Sequence, residues 1–333
     1  MSIVDLQTGS TQPNRGSGYR IIEANSTDFR EQFNQSSFMF SHSLAEHPLF
    51  EIPRLAELSK TILSQGGTEK VQSYVGKVPI SQKWTDRAGV DQVTEAISHI
   101  EESGSWVLLM DVQSDPEYAA LLEQVVSELE ALVGVPLRKE MSWLGAYIFI
   151  ASPRSVTPYH IDHEANFLFQ IRGEKDLSLF DQNDRSVLTE QEIEAFYMGN
   201  INSASYGEEK QSKASVYHLT PGKGVHHPVR APHWVKNGNS VSVTMSILFY
   251  LRPYDLQARV YQVNHYLRKL GLTPTPPGRS TLLDQIKVQS MSLFSKRQPV
   301  TKHEIVRSGI NRLQSIIRWV ASPIKLIRRA FSS

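Results

Sequence analysis

The stretch from Ala146 to Leu251 constrains the fold of this chain more than any other part of the sequence. It consists of short runs of β-branched and aromatic residues that are separated by Gly, Pro, Asn and Asp. Such a pattern is typical of antiparallel strands that close into a sandwich or a small barrel. We therefore predict strands at the following segments: Ala146–Ala151, Asn166–Arg172, Lys175–Phe180, Ala214–Leu219, Val225–Pro228 and Ser240–Tyr250.

The residues that precede this stretch have a different pattern. Residues 1–18 are rich in Ser, Thr, Gln and Gly and are predicted to form a disordered arm. From residue 19 to about residue 140 the pattern is mixed and mostly helical. Its clearest helix begins at Asp115, an N-cap residue that is followed by a proline, and stops at Gly134. Trp106–Val112 is predicted to be a strand.

Helical patterns return on the C-terminal side of the strand region. After Pro253 the apolar residues again follow helical spacing, most clearly at Leu256–Leu270. We predict C-terminal helices over residues 253–290 and expect Leu256–Leu270 to be the helix through which a homodimer would form. The chain is thus predicted to be an α+β protein.

The composition excludes several kinds of site. The chain has no cysteine, which excludes disulfides, thiolate metal sites and a cysteine nucleophile, so that a metal ion would be held by histidine, carboxylate, carbonyl or water. No N-terminal segment has the layout of a secretory signal. The longest apolar run, Leu144–Ala151, is far shorter than the roughly 20 residues that a membrane-spanning helix needs. We expect a cytoplasmic protein.

The net charge of +1 hides an asymmetry between the body of the chain and its C-terminal tail. Residues 291–333 contain nine Lys and Arg and one acid, Glu304, whereas residues 1–290 contain 26 basic and 33 acidic residues. The tail also has an apolar seam at alternating spacings of four and three, which predicts an amphipathic helix. That seam comprises Val306, Ile310, Leu313, Ile317, Val320, Ile324, Ile327 and Phe331.

Three interpretations of this tail remain open. The first is a helix that docks on the body or pairs with a second subunit. The second is a helix at a membrane surface, because basic flanks and an apolar face suit anionic lipid. The third, capture of an acidic peptide or nucleic acid, is the least favoured, and we expect no nucleic-acid partner.

A His-x-Asp pair, His160 and Asp162, stands at the head of an apolar segment. Residues i and i+2 of a strand project from the same face, so the imidazole and the carboxylate would converge. Such a pair supplies two of the three ligands of the facial triad that binds non-haem Fe(II). The third ligand has to come from a distant strand.

Three histidines near the end of the strand region are candidates for the third ligand. His226 and His227 would point to opposite faces of one strand, so that at most one of them would point inward. We favour His233, because a tight corner at Ala231-Pro232 precedes it and an apolar strand follows it.

These motifs, taken in order, resemble a known family. The sequence Thr157-Pro158-Tyr159-His160-Ile161-Asp162 matches a Thr-Pro-x-His-x-Asp motif. Asn166 follows this motif, and the next strand ends at Gly173-Glu174-Lys175. Further along the chain, Pro228 lies five residues before His233. The chain resembles the jumonji-C branch of the cupin-fold Fe(II)- and 2-oxoglutarate-dependent oxygenases, and within it the asparaginyl hydroxylase of hypoxia-inducible factor. The resemblance implies a double-stranded β-helix, or jelly-roll, core.

The resemblance also implies a division of the chain and roles for individual residues. Lys175 would pair with the distal carboxylate of 2-oxoglutarate, Thr157 would donate to the same carboxylate, and Asn166 would contact the cosubstrate or a metal-bound water. The implied segments are a disordered arm (1–18), a mixed, mostly helical flank (19–140), the jumonji-C/cupin core (141–252), C-terminal helices (253–290) and the basic tail (291–333).

The residues alone leave alternatives to these roles. Lys175 would be unremarkable on a solvent-facing strand, Thr157 in a turn, and Asn166 at the start of a strand. Arg172 is a competing anion-binding side chain that we expect on the surface. The family also uses a tyrosine from an earlier strand, for which Tyr147 and Trp106 are the candidates.

Two further histidines have weaker assignments. Strand parity turns His163 away from the metal, toward solvent or toward a supporting contact. His226 is expected to line the pocket as a hydrogen-bond partner.

The implied reaction uses Fe(II) held by His160, Asp162 and His233, together with 2-oxoglutarate and O₂. 2-Oxoglutarate is decarboxylated to succinate while the substrate is hydroxylated. The Asp162 carboxylate favours hydroxylation, because halogenating relatives lack it. The resemblance implies a protein or peptide side chain as substrate. One alternative is the same chemistry on a small metabolite in a biosynthetic pathway. Another is a non-catalytic cupin-like binding or regulatory protein, but the complete ligand set argues against this second alternative.

Overall fold

The computed structural model describes residues 20–24, 26–84 and 93–293. Its helices are α1 (Ser26–Gln32), α2 (Ile52–Ser64), α3 (Val93–Ser98), α4 (Pro116–Val133), α5 (Leu137–Glu140), α6 (Glu190–Tyr197), α7 (Arg252–Lys269) and α8 (Thr281–Ser292). Its strands are β1 (Ile22–Glu23), β2 (Phe38–His42), β3 (Val71–Val75), β4 (Ser105–Leu109), β5 (Met141–Ala151), β6 (Val156–His160), β7 (Ala165–Arg172), β8 (Lys175–Leu179), β9 (Ser215–Leu219), β10 (Lys223–His227), β11 (His233–Asn237) and β12 (Ser242–Leu251).

The strands form two antiparallel sheets whose inner faces pack on each other. The large sheet has the order β1-β2-β10-β7-β12-β5-β4-β3, and the small sheet has the order β6-β11-β8-β9. Leu168 and Val225 of the large sheet share one buried cluster with Leu177 and Val235 of the small sheet. This is the arrangement of a double-stranded β-helix, and the predicted fold class is confirmed.

Strands from the N-terminal region extend the large sheet at both edges. β1 and β2 continue it beyond β10, and β4 and β3 continue it beyond β5. The region predicted as a mixed, mostly helical flank therefore also builds half of the strands in this sheet. The division of the chain at residues 140 and 252 stays a prediction.

The outer face of the large sheet is covered by the N-terminal helices. In β7, Phe167 and Phe169 lie in the outer core, where Phe167 stacks on Phe29 of α1 with ring centroids 5.7 Å apart. Asn166 and Leu168 alternate with them and line a cavity between the sheets. Every residue of β12 is buried, because that strand is covered on both faces.

The predicted helix that follows Asp115 is confirmed, but the strand before it is shorter than predicted. Asp115 caps α4 by accepting a hydrogen bond from the Glu117 amide, and Gly134 ends the helix at φ 75°. β4 ends at Leu109 rather than at Val112, because Asp111 adopts a left-handed φ of 54° and a short 3₁₀ turn begins after it.

The helices α6 and α7 pack against each other. Arg268 of α7 donates two hydrogen bonds, both of 2.9 Å, to the buried carboxylate of Glu194 in α6. Dimerisation through α7, where Leu256 is exposed, stays a prediction. The predicted disordered arm and nearly all of the basic tail lie outside the described residues. Among the helices that the structure describes, none is long and apolar enough to cross a bilayer.

Candidate functional site

The predicted ligands His160, Asp162 and His233 lie together in the folded chain and line one cavity. One ligand atom from each lies within 4.8 Å of the others, and no other cluster of this kind occurs in the described part of the chain. Asp162 Oδ2 is 3.5 Å from His160 Nε2 and 3.7 Å from His233 Nε2. Of the three predicted candidates for the third ligand, the structure brings His233 into this set.

Two of these ligands reach the site through strand pairing and the third through a loop. β11 pairs with β6 so that His233 lies opposite His160. β6 ends at His160, and Asp162 therefore lies in the loop after the strand rather than in the strand itself. Its carboxylate nevertheless turns to the same side as the two imidazoles.

Backbone carbonyls orient both imidazoles for metal binding. His160 Nδ1 is 2.7 Å from the Pro158 carbonyl oxygen, and His233 Nδ1 is 3.0 Å from the Ala231 carbonyl oxygen. Because a carbonyl only accepts, each Nδ1 carries the proton and donates it, which leaves the Nε2 lone pair for a metal ion.

Two of the three candidate ligands, Asp162 and His233, have the protonation states that a metal ion requires. Burial would raise the pKa of Asp162, but the neighbouring His160 imidazole outweighs it and holds that pKa well below its usual range. Burial, assisted by His160, lowers the pKa of His233 to about 4. An ionised carboxylate and a neutral imidazole are the ligating forms. Burial would lower the pKa of the third, His160, but the Asp162 carboxylate outweighs it and raises that pKa, so this imidazole has to release a proton when a metal ion binds.

A cavity of about 930 Å³ leads from these ligands into the space between the sheets. Its lining includes aromatic side chains from the large sheet and from the segment before residue 85, together with polar side chains from both sheets. The aromatic residues are Tyr74, Trp84, Trp106, Trp143, Tyr147, Phe149 and Tyr250, and the polar residues include Thr157, Asn166, Lys175, His227, Asn237, Thr244 and Ser246.

Lys175 is the most unusual of the polar residues, because it is only 5% exposed. It begins β8 directly after the turn at Gly173, whose φ is 67°. Within the described residues no carboxylate or other hydrogen-bond acceptor pairs with its ammonium, and burial lowers its pKa to about 7. A buried, unpaired ammonium is costly and indicates that an anion binds beside it.

Further buried polar atoms of residues that line the cavity also lack partners. Asn166 donates from Nδ2 to Ser246 Oγ at 3.3 Å, but its Oδ1 has no hydrogen bond. His227 lies opposite Asn166 in the β7–β10 ladder, and its Nε2 has none either. The unpaired ammonium of Lys175 suits an anionic group such as a carboxylate, and the unpaired Asn166 Oδ1 suits a hydrogen-bond donor such as a water molecule.

Comparison with protein-family models agrees with this fold. The model of the Cupin-like domain matches residues 79–255, more than half of the chain. The chain belongs to the cupin-like family.

Solved structures of Escherichia coli YcfD are also similar to this cupin-like chain. One has 17% sequence identity and a TM-score of 0.48, with 85% of this chain and 70% of that chain covered. A second, described as a ribosomal oxygenase in complex with cobalt and 2-oxoglutarate, has 16% identity and a TM-score of 0.45, with 83% and 67% covered. A third, in complex with cobalt and succinic acid, has 16% identity and a TM-score of 0.43, with 86% and 70% covered. Among curated proteins no match was found.

The cupin-like core places the remaining predicted residues as follows. Thr157 is half-buried and lines the cavity, as do both candidates for the aromatic position, Tyr147 and Trp106. Arg172 is exposed on the surface, as expected for a residue before the turn.

Of the two histidines with weaker assignments, one lies elsewhere than predicted. His226 does not line the cavity. It is packed among Phe33, Phe38 and Phe167 in the outer core, because strand alternation turns His227 inward instead. His163 is 3% exposed and hydrogen-bonds Tyr197 and Asp255, so of its two predicted alternatives the supporting contact is present and the solvent-facing position is wrong.

Trp84 is a cavity residue that the sequence did not reveal. Its ring lies edge-on to His160 with centroids 5.0 Å apart, and Asn202 hydrogen-bonds both its amide and its carbonyl. Trp84 is far from the ligands in sequence and belongs to no motif, so only the folded chain shows that it forms part of the site.

Proposed function

We propose that the chain is an Fe(II)- and 2-oxoglutarate-dependent oxygenase. The observation that carries this proposal is the presence, in one cavity, of a His-Asp-His ligand set and a buried ammonium without a counter-ion. Two imidazoles and one carboxylate are the donor set of non-haem Fe(II) oxygenases. A lysine in the same cavity provides a positive charge for the second carboxylate of a dicarboxylate cosubstrate.

The residues of the chain have separate tasks in this proposal. His160, Asp162 and His233 would hold Fe(II), leaving coordination positions open for the cosubstrate and O₂. When bound, the iron supplies oxidative decarboxylation of 2-oxoglutarate and oxygen transfer to a C–H bond of the substrate. Lys175 and Thr157 would hold the distal carboxylate, by an ion pair and a hydroxyl hydrogen bond respectively. Asn166 would donate from its Nδ2 group to the cosubstrate, or accept a hydrogen bond from a metal-bound water through its unpaired Oδ1.

The aromatic wall excludes water and orients the substrate. Trp84 lies against His160, and Tyr74 stacks on Trp106 with centroids 4.2 Å apart, so the wall is rigid and apolar next to the ligands. A dry, shaped cavity is what the protein contributes to this chemistry besides the ligands.

We further infer that the substrate is a protein or peptide side chain, as the resemblance to jumonji-C hydroxylases implies. A small metabolite is the second candidate, because a cavity of about 930 Å³ also lies within the range of small-molecule sites. The experiment is incubation of the protein with Fe(II), ascorbate, 2-oxoglutarate and either a peptide library or a metabolite mixture. Succinate formation together with a 16-Da mass increase in a peptide supports the first candidate, and the same increase in a metabolite supports the second. A protein that forms no succinate in either mixture would contradict the proposed activity.

A further inference from the structure

The residue after the metal ligand Asp162 is tied to two helices at once. His163 Nε2 lies 2.8 Å from Asp255 Oδ1, so Nε2–H donates to that carboxylate. The other ring nitrogen, Nδ1, lies 2.9 Å from the Tyr197 hydroxyl, which donates to it. Asp255 is in the first turn of α7, and Tyr197 is the last residue of α6. The backbone on the C-terminal side of Asp162 is thereby fixed to both helices.

The backbone of Asp162 itself is held from the other ligand loop. The Arg230 amide donates to the Asp162 carbonyl oxygen at 2.9 Å, and Arg230 lies three residues before His233. Its φ of 64° is in the left-handed region, which is unfavourable for an arginine. One backbone hydrogen bond thus links the loop of Asp162 to the loop of His233 at a residue with a strained conformation.

The Arg230 side chain is held by the same helix that holds His163. Its NH2 group donates to Gln257 Oε1 at 2.9 Å, and its guanidinium lies 5.3 Å from the ring centroids of both Tyr254 and Tyr261. All three of these partners belong to α7. Both ligand loops are therefore fastened to one helix that contributes no ligand of its own.

A purely structural role does not require these residue types. Burying a histidine–carboxylate pair and a guanidinium costs desolvation energy, and apolar residues of similar volume often serve stability as well or better. A strained arginine backbone adds a further cost. Such features are expected where the position of a neighbouring group matters more than the stability of the fold.

We propose that His163, Asp255 and Arg230 are positioning residues that hold Asp162 and His233 at metal-binding distance, so that α7 sets the metal affinity of the site. The inference rests on the proposed function, because it presupposes that the His-Asp-His set binds a metal ion. Groups that orient metal ligands through hydrogen bonds typically change metal affinity by roughly 10–100-fold when they are removed.

Titration of the full chain with Co(II), followed by visible absorption, tests this role without turnover. Asp255→Ala is expected to weaken the Co(II) Kd by roughly 10–100-fold. Tyr197→Phe and Gln257→Ala, which each remove one hydrogen bond and keep the helix packing, are expected to weaken it by roughly 3–10-fold. Asp255→Asn keeps an oxygen acceptor for His163 and is expected to restore most of the affinity.

Asp176→Ala is the matched control. Asp176 Oδ1 also accepts a hydrogen bond from a histidine, His218 Nδ1 at 2.8 Å, but this pair is exposed on the small sheet. The control is expected to keep the wild-type Kd.

The possible outcomes distinguish a failure of the proposed positioning role from a failure of the proposed metal site. If Asp255→Ala unfolds at a lower temperature but keeps the wild-type Kd, the residues are merely structural and the inference is overturned. If Asp255→Ala does not fold, unchanged Kd values in both Tyr197→Phe and Gln257→Ala overturn it. A wild-type chain that does not bind Co(II) contradicts the proposed function instead.

Discussion

His233 lies directly opposite His160 in the β6–β11 ladder, and the centroids of the two rings are 4.1 Å apart. The register of the small sheet, rather than closeness in sequence, therefore brings two of the three ligands together. A slip of one residue in this pairing would turn one imidazole to the other face of the sheet. Asp162, two residues beyond the end of β6, completes the set from the adjoining loop.

We predict that Asp162→Ala abolishes substrate-stimulated succinate production. The substitution removes the only anionic ligand of the set, and two imidazoles alone would hold a divalent ion much more weakly. Asp181→Ala, an exposed carboxylate in the turn after β8, is the control and is expected to behave as wild type. Turnover that persists in Asp162→Ala would show that this carboxylate is not a ligand.

We predict that Lys175→Met weakens the binding of 2-oxoglutarate by about 10–100-fold, because it removes a charge-assisted hydrogen bond. The same substitution should increase the free energy of unfolding of the cosubstrate-free protein at pH 7 by roughly 1–3 kcal/mol, since it also removes a buried, unpaired charge. Isothermal titration and urea denaturation measure the two effects.

Lys236→Met, which changes an exposed lysine on β11, is the control for both measurements and should alter neither. A parallel loss of affinity and stability in Lys175→Met would mean that Lys175 has a partner within the protein rather than in the cosubstrate.

Binding of 2-oxoglutarate should depend on pH through Lys175. Burial lowers the pKa of Lys175 from 10.5 to about 7, so the ammonium is present below pH 7 and is lost from the cosubstrate-free protein above it. The complex requires the ammonium, and binding above pH 7 must take up a proton. Titration of Lys175 should therefore leave the affinity for 2-oxoglutarate unchanged below pH 7. Above pH 7 it should lower this affinity by up to about tenfold per pH unit.

The stability of the cosubstrate-free protein should change in the opposite direction over the same range. The cost of burying the charged lysine is fully present below pH 7 and disappears as pH rises from about 7 to 10.5, so this group raises stability in that window. Comparing Kd and unfolding free energy of the wild type with those of Lys175→Met isolates both effects. Identical pH profiles for the two proteins would contradict the assignment.

Gly173→Ala should destabilise the fold by more than the usual cost of a left-handed alanine, about 1–2 kcal/mol. Gly173 has φ 67°, and a Cβ there would collide with the Val241 carbonyl oxygen. Gly104→Ala is the matched control, because Gly104 has φ 62° but open space around it. Urea denaturation measures both losses, and equal losses would show that the close approach to Val241 does not matter.

The site could be predicted from the sequence where a motif fixes it. The His-x-Asp pair indicates His160 and Asp162, although the strand parity used for them does not apply to Asp162, which lies in the loop after β6. Lys175 and Asn166 are indicated by the resemblance of the surrounding motif to a known family. His233 could be favoured over His226 and His227 because a tight corner at Ala231-Pro232 precedes it and a new strand begins with it.

Other features could not be predicted because they depend on tertiary pairing. Nothing local to β3 or β4 indicates that these strands join the edge of the large sheet. Trp84 reaches His160 only through the packing of a segment that carries no motif. The interior position of His163 likewise depends on α6 and α7, which supply Tyr197 and Asp255 from distant parts of the chain.

Anaerobic titration of the Fe(II)-loaded protein with 2-oxoglutarate, followed by ultraviolet–visible absorption, tests the central claim most directly. A metal-to-ligand charge-transfer band requires that iron and cosubstrate are in direct contact. The account predicts that this band appears in the wild type, needs a much higher cosubstrate concentration in Lys175→Met, and is absent in Asp162→Ala. A wild-type protein that shows no such band at saturating Fe(II) and 2-oxoglutarate would contradict it.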